Sequence, residues 1–154
     1  MIKIDAVLYG LKGANWKQAY HSLAESVSDA TGLSMMDVAD QLIANEQTSP
    51  SGIGRGFALP HLQIAGLSKP FVLFAKLAQP IDMETVDHDA VDMMVVLLSP
   101  ENDGPYHLRR LSRLSRFFRD ETICQKLQGA ESEDALRAIL LYEIDMANEE
   151  RKAA

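Results

Sequence analysis

The run VDMMVVLLS at positions 91–99 constrains the fold more than any other part of this sequence. A strand with one face in water alternates apolar and polar residues, whereas positions 93–98 are all apolar. Such a strand must be covered on both faces, so we expect it at the centre of a sheet. A second strong strand is predicted at 71–77, FVLFAKL, and a short one at 57–60, FALP.

Segments with helical periodicity precede and follow these strands. Residues 15–31 place apolar side chains at helical spacing, with Asn15 suited to cap the start and Gly32 to end it. A second helix is predicted after Ser34, and a loop from Asn45 to the glycines. Three further helices are predicted at 105–120, 121–128 and 132–144. Strands between helices indicate the α/β class, with a small mixed sheet flanked by helices.

The composition is that of one soluble globular domain. With 154 residues, of which 47% are hydrophobic and 24% charged, the chain can bury a core. We predict a single domain over 1–154, in which 146–154 is a frayed tail. The net charge of −7 argues against nucleic acid as a partner, because phosphate backbones require clustered positive charge.

Cysteine usage and hydropathy bear on where the protein resides. Cys124 is the one cysteine, so no internal disulfide can form, as is usual in a reducing compartment. No apolar run reaches the roughly 20 residues of a membrane helix, and the N-terminus does not resemble a signal peptide. We expect a cytoplasmic protein without membrane insertion.

Two of the four histidines stand at positions that suggest chemistry. His61 follows Pro60, so it leaves the end of a short strand on a stiff backbone. His107 falls in the first turn of a helix opened by Gly104 and Pro105, where free N–H groups favour anions. If both meet at one sheet edge, one ring could carry a phosphoryl group while the other binds its oxygens. An ordinary polar residue at a strand end remains the alternative for His61.

Other patterns leave their alternatives open. A metal site from His61, His107, His88 and Asp87 or Asp89 lacks ligand spacing, so we predict no metal and no cofactor. The glycines of GIGRG, 52–56, permit either a tight turn or a close approach to phosphate. A basic ridge follows His107 on one helix face, and it is either a solvated surface or a docking surface for an acidic partner. The ridge comprises Arg109, Arg113 and Arg116.

The segment SGIGRGFALPH, followed by PID at 80–82, AVD at 90–92 and HL at 107–108, resembles the enzyme IIA domains of the bacterial phosphotransferase system. The resemblance is to the fructose–mannitol type and is strongest for its nitrogen-regulatory branch. It implies an α/β fold with a mixed sheet. It also implies that His61 is phosphorylated by a histidine phosphocarrier protein and that His107 is the second active-site histidine.

The chain departs from the pattern of this family near its glycines. Asn45 stands where the family commonly has an arginine before Glu46, and Arg55 replaces a common asparagine. Further departures are Ala90 for proline and Leu62 for glycine. We expect Arg55 to supply the missing charge and to bind phosphate together with Ser51 and Gly54.

The resemblance predicts a phosphoryl acceptor and donor that is transiently phosphorylated on His61, a phosphotransferase with a regulatory role of the nitrogen type. Its partners would be the phosphocarrier and regulatory target proteins. Two alternatives remain: a sugar-transport IIA that passes phosphate to a IIB permease domain, and a binding module that has lost phosphotransfer.

Overall fold

The computed structural model describes residues 1–83 and 89–153. Six strands and five helices follow one another in these ranges. The strands are β1 (Ala6–Leu11), β2 (Gly52–Gly54), β3 (Phe57–Ala58), β4 (His61–Ile64), β5 (Phe71–Ile81) and β6 (Val91–Pro100). The helices are α1 (Trp16–Thr31), α2 (Met35–Thr48), α3 (Pro105–Phe118), α4 (Glu121–Gly129) and α5 (Glu133–Ala153).

All six strands form one mixed sheet in the order β1-β5-β6-β3-β2, with β4 also paired to β6. Strand β5 runs antiparallel to β6, whereas β3 and β4 run parallel to it. Strand β6 is the central strand, as its apolar run predicts. The edge strand β1 is not among the predicted strands, because its alternation is short and interrupted by Gly10.

The two faces of β6 contact different helices. Met94, Val96 and Leu98 pack with α1 and α2, whereas Met93, Val95 and Leu97 pack with α3, α4 and α5. Alternate side chains of one strand therefore join two apolar layers, which explains why this strand tolerates no polar position in its middle. The predicted α/β fold with a small mixed sheet flanked by helices is confirmed.

Helix boundaries follow the predicted caps, with one extension. Asn15 accepts the backbone N–H of Gln18, and Gly32 ends α1 at a φ of 80°. Ser34 caps α2 in the same way. Helix α2 continues to Thr48, so Asn45 lies in the helix and not in the predicted loop, since no helix breaker precedes Pro50.

The C-terminal segment differs from the expected frayed tail. Helix α5 continues to Ala153, and its Asn148 side chain exchanges two hydrogen bonds with the backbone of Ile2. These bonds hold the last turns of α5 against the N-terminus. Within α3, Leu108 is 66% exposed, whereas the neighbouring His107 is buried. No helix in the described ranges is long and apolar enough to cross a membrane.

Candidate functional site

His61 is fixed by its neighbours along the backbone. It is the first residue of β4 and pairs with Leu97 of β6, so it begins a strand and does not end one. The carbonyl of Pro60 accepts the N–H of Leu97 at 3.0 Å. The Asn45 side chain donates Nδ2–H to the carbonyl oxygen of His61 at 2.9 Å. The proline, the sheet and α2 together leave the backbone of His61 little freedom.

His107 meets His61 ring to ring. It lies in the first turn of α3, which Gly104 and Pro105 open as the sequence predicts. Its Nε2 is 3.0 Å from Nδ1 of His61, and the ring centroids are 5.1 Å apart. His61 pairs with Leu97 near the C-terminal end of β6, and α3 follows β6 after a short loop, so His61 lies beside the start of α3. The structure therefore brings together the two histidines that the sequence singles out.

A further set of polar side chains continues from the other side of His107. Its Nδ1 is 2.8 Å from Oγ of Ser99, and Arg110 donates a guanidinium N–H to the same oxygen at 3.1 Å. Asp103 in turn forms an ion pair with Arg110. Sequence reasoning missed Ser99 and Asp103. The only available signal was a serine closing an otherwise apolar strand.

Glu46 is another residue of the site that sequence reasoning did not assign, and it lies near His61. Its carboxylate is 8% exposed and accepts hydrogen bonds from the Tyr20 hydroxyl at 2.5 Å and from the Ser51 hydroxyl at 2.6 Å. It also accepts the backbone N–H of Ser51 at 3.0 Å. Burial beside this carboxylate raises the pKa of Tyr20. The predicted phosphate ligand Ser51 is thus engaged with Glu46.

The surroundings of both histidines favour the neutral ring. Burial lowers the pKa of His61, and the negative charge of Glu46 opposes this in part. Burial also lowers the pKa of His107, helped by His61 and Arg110 and opposed by Asp103. A neutral imidazole has one nitrogen with a free lone pair, which is what a nucleophile requires.

Arg55 and Gly54 lie away from the histidines. Arg55 and Gly56 form the two-residue turn between β2 and β3, with positive φ values of 57° and 83° as in a type I′ hairpin. Beside this turn Phe57 pairs with Met93, four positions before the partner of His61 on β6, or about 13 Å. Arg55 donates to the backbone carbonyl of Arg119 at 3.1 Å. The structure does not bring this arginine to the histidine pair.

The remaining predicted features lie elsewhere or are not described. Asp87 and His88 of the metal alternative lie outside the described residues. Within the described ranges no group of three His, Cys, Asp or Glu side chains could hold a metal ion. The basic ridge, defined as Arg109, Arg113 and Arg116, lines a groove of about 850 Å³ between α3 and α5 that includes neither histidine.

The model of one protein family matches residues 1–143 of this chain, and its description is "Phosphoenolpyruvate-dependent sugar phosphotransferase system, EIIA 2". The chain belongs to this EIIA family. Named relatives align with the chain over most of its length. A nitrogen regulatory protein of Bradyrhizobium diazoefficiens is 36% identical over 140 residues, covering 91% of this chain and 92% of that protein.

A second relative of this EIIA protein carries a sugar-specific name. The fructose-specific EIIA component of Haloferax volcanii is 33% identical over 123 residues, 79% of this chain and 80% of that protein. Among solved structures, the nitrogen regulatory protein IIA-Ntr from Neisseria meningitidis superposes with a TM-score of 0.78 at 30% identity. That match covers 88% of this chain and 92% of the other. The family, the fold and the relatives named nitrogen regulatory protein all agree with what the sequence predicts.

Proposed function

We propose that this EIIA protein accepts a phosphoryl group on Nε2 of His61. The observation that carries the proposal is the contact of 3.0 Å between Nδ1 of His61 and Nε2 of His107. It occupies one ring nitrogen of His61 and leaves Nε2 for an incoming group. Asn45 holds the backbone of His61, and His107 contacts one edge of its ring. The ring is half-buried, so the other edge remains accessible to a partner.

The donor is a histidine phosphocarrier protein, and the reaction exchanges one N–P bond for another. The Nε2 lone pair of His61 attacks phosphorus as the bond to the carrier imidazole breaks, and the electron pair of that bond stays on the carrier ring. The carrier ring then takes up one proton, and His61 gives one up. The lowered pKa of His61 favours the neutral ring that this attack needs.

His107 acts in this proposal as the group that orients His61. Both its ring nitrogens have partners, Nε2 with His61 and Nδ1 with Ser99. The sequence suggested that His107 binds phosphoryl oxygens. The geometry instead supports a role in which His107 holds the ring of His61 so that Nε2, and not Nδ1, faces the incoming group. Orientation of this kind contributes to catalysis because the reacting atom is fixed before the partner arrives.

We further propose a regulatory role, in which phosphorylation of His61 changes the binding of target proteins. This finer assignment is supported by the nitrogen regulatory proteins among the relatives, one of which is matched over 92% of its length. The fructose-specific relative supports the alternative, in which a IIB domain receives the phosphoryl group. The basic ridge on α3, next to the buried His107, is a surface on which either partner could dock by opposite charge.

Intact-mass measurement tests the proposal. The chain is mixed with a phosphorylated histidine phosphocarrier, and a mass increase of one phosphoryl group is expected in the wild type but not in His61→Ala. Addition of a IIB domain of a fructose permease then distinguishes the two roles, because rapid loss of the added mass would favour transport. A wild-type chain that never gains mass would favour the binding module without phosphotransfer.

A further inference from the structure

Ser99 reveals where the protons of the histidine pair reside. Its side chain is fully buried, and its hydroxyl has two partners among the described residues, Arg110 and His107. A guanidinium can only donate, so Arg110 occupies a lone pair of Oγ. The one acceptor left for the Ser99 proton is Nδ1 of His107. A buried hydroxyl that donates to nothing would lose about 1–3 kcal/mol, so Ser99 donates to Nδ1.

This direction fixes the tautomers of both rings. Because Nδ1 of His107 accepts, the neutral ring carries its proton on Nε2. That N–H points to Nδ1 of His61, 3.0 Å away, which must therefore be unprotonated. The positive charge of Arg110 reinforces the arrangement, since it turns the hydroxyl dipole of Ser99 away from itself. Asp103 holds the guanidinium in place.

We propose that Ser99 and Arg110 are positioning residues that fix the tautomer of His107 and so match the site to phosphorylated His61. The inference rests on the proposed function. A neutral ring that carries a phosphoryl group on Nε2 has a bare Nδ1, which accepts from Nε2–H of His107 without rearrangement. A ring about to attack through Nε2 instead carries its proton on Nδ1, where it would face the proton of His107. The network therefore suits the phosphorylated form and the resting form, whose proton is on Nε2, and it disfavours the attacking form.

The rate constants of phosphoryl exchange with the carrier test this proposal. In Ser99→Ala the selection of the tautomer is lost and the attacking form of His61 costs less, so we expect the forward and reverse rate constants to rise about tenfold, the effect of one good hydrogen bond, while the equilibrium stays within about twofold of the wild type. Ser99→Thr keeps the hydroxyl, and its rate constants should stay within about twofold of the wild type. Arg110→Gln should raise the rate constants about threefold, because only the orienting charge is removed. Arg137→Gln is the matched control, since Arg137 is exposed on α5 and forms an ion pair with Glu133.

A spectroscopic readout separates this role from a merely structural one. Long-range ¹H–¹⁵N NMR on the histidine rings of the unphosphorylated protein should show His107 protonated on Nε2, and a mixture of tautomers in Ser99→Ala. Protonation of wild-type His107 on Nδ1 would overturn the assignment, as would unchanged tautomers and rate constants in Ser99→Ala. Arg110→Gln serves the same test if Ser99→Ala does not fold.

Failure of the proposed function gives a different result. If the wild-type chain takes no phosphoryl group from the carrier, the proposed function fails, and the match to phosphorylated His61 fails with it. The tautomer assignment itself is then still decided by the NMR measurement, which needs no phosphoryl transfer.

Discussion

Arg55 and His61 are six positions apart in the sequence, but their side chains lie in very different surroundings. Arg55 sits at the tip of the β2–β3 hairpin, exposed, and donates to the carbonyl of Arg119. His61 begins β4, where Asn45 holds its backbone and His107 its ring. The segment is extended between them, so closeness in sequence becomes separation in space. A charge near a glycine motif is therefore weak support for a phosphate ligand unless the turn directs it to the site.

The same comparison shows how the fold prepares one end of the segment for chemistry. At the histidine end, each polar group contacts another that is itself buried, from His61 through His107 to Ser99. At the hairpin end, the conformation is fixed by the positive φ values of Arg55 and Gly56, not by the chemistry of the side chain. The first arrangement should be sensitive to the removal of any member, the second mainly to backbone strain.

The largest expected effect comes from removing the histidine end. His61→Ala should abolish phosphoryl uptake from the carrier while the fold remains, because the side chain is half-buried at a sheet edge and is not part of either apolar layer. Uptake is measured by intact mass and folding by thermal denaturation. Phosphoryl incorporation at the wild-type rate would contradict the assignment of His61.

The second largest effect concerns His107. His107→Ala should slow transfer about 100-fold, because the ring of His61 is no longer held in the orientation for attack. His107→Gln should recover part of the rate, because its amide can also contact Nδ1 of His61 and hold the ring in place. Both variants remove a ring that is 5% exposed, so thermal unfolding must be followed beside transfer. Normal transfer by folded variants of both kinds would reduce His107 to a structural residue.

The sequence predicts the parts of this site that have a local signature. Pro60 before His61, and Gly104 with Pro105 before His107, are such signatures, and the apolar run of β6 indicates a central strand that precedes the helix of His107. Parallel pairing of β4 with β6 then brings the histidines together.

Residues that depend on contacts distant in sequence escaped prediction. Glu46 meets Tyr20 across 26 positions, and Ser99 needs Arg110 on the following helix to orient its hydroxyl. The expectation that Arg55 lies near His61 has a related origin. The direction of the Arg55 side chain depends on the turn type, which the GRG triplet leaves open.

A smaller effect concerns the histidine end, where the free energy of unfolding should depend on pH. Because the pKa values of His61 and His107 are lowered from 6.5, the unfolded chain binds protons there before the folded chain does. The histidine pair adds nothing to the pH dependence above 6.5, and the free energy of unfolding should fall as pH drops below that value. Glu46 and Asp103 oppose the loss, and Arg110 adds to it.

Denaturant unfolding between pH 7.5 and 5 measures this dependence, in the wild type and in a His61→Gln, His107→Gln double variant. The difference between the two curves should shrink or reverse in favour of the variant as pH falls, because the glutamines do not titrate. Parallel curves over this range would show that the two rings titrate alike in the folded and unfolded chains.

The smallest expected effect is at the hairpin end. Arg55→Asn should leave the rate of phosphoryl uptake within about twofold of the wild type, since a difference of less than about 0.4 kcal/mol in the barrier is expected for a side chain about 13 Å or more from the histidine pair. Stability should also change little. Asparagine tolerates the positive φ of 57° better than arginine, which offsets the lost hydrogen bond to Arg119. Arg55→Ala is the matched variant, because it loses the same bond without that conformational gain. Transfer slowed tenfold or more in folded Arg55→Asn would mean that this arginine reaches the phosphoryl group when the carrier binds, and the contrast between the two ends would then hold only for the free protein.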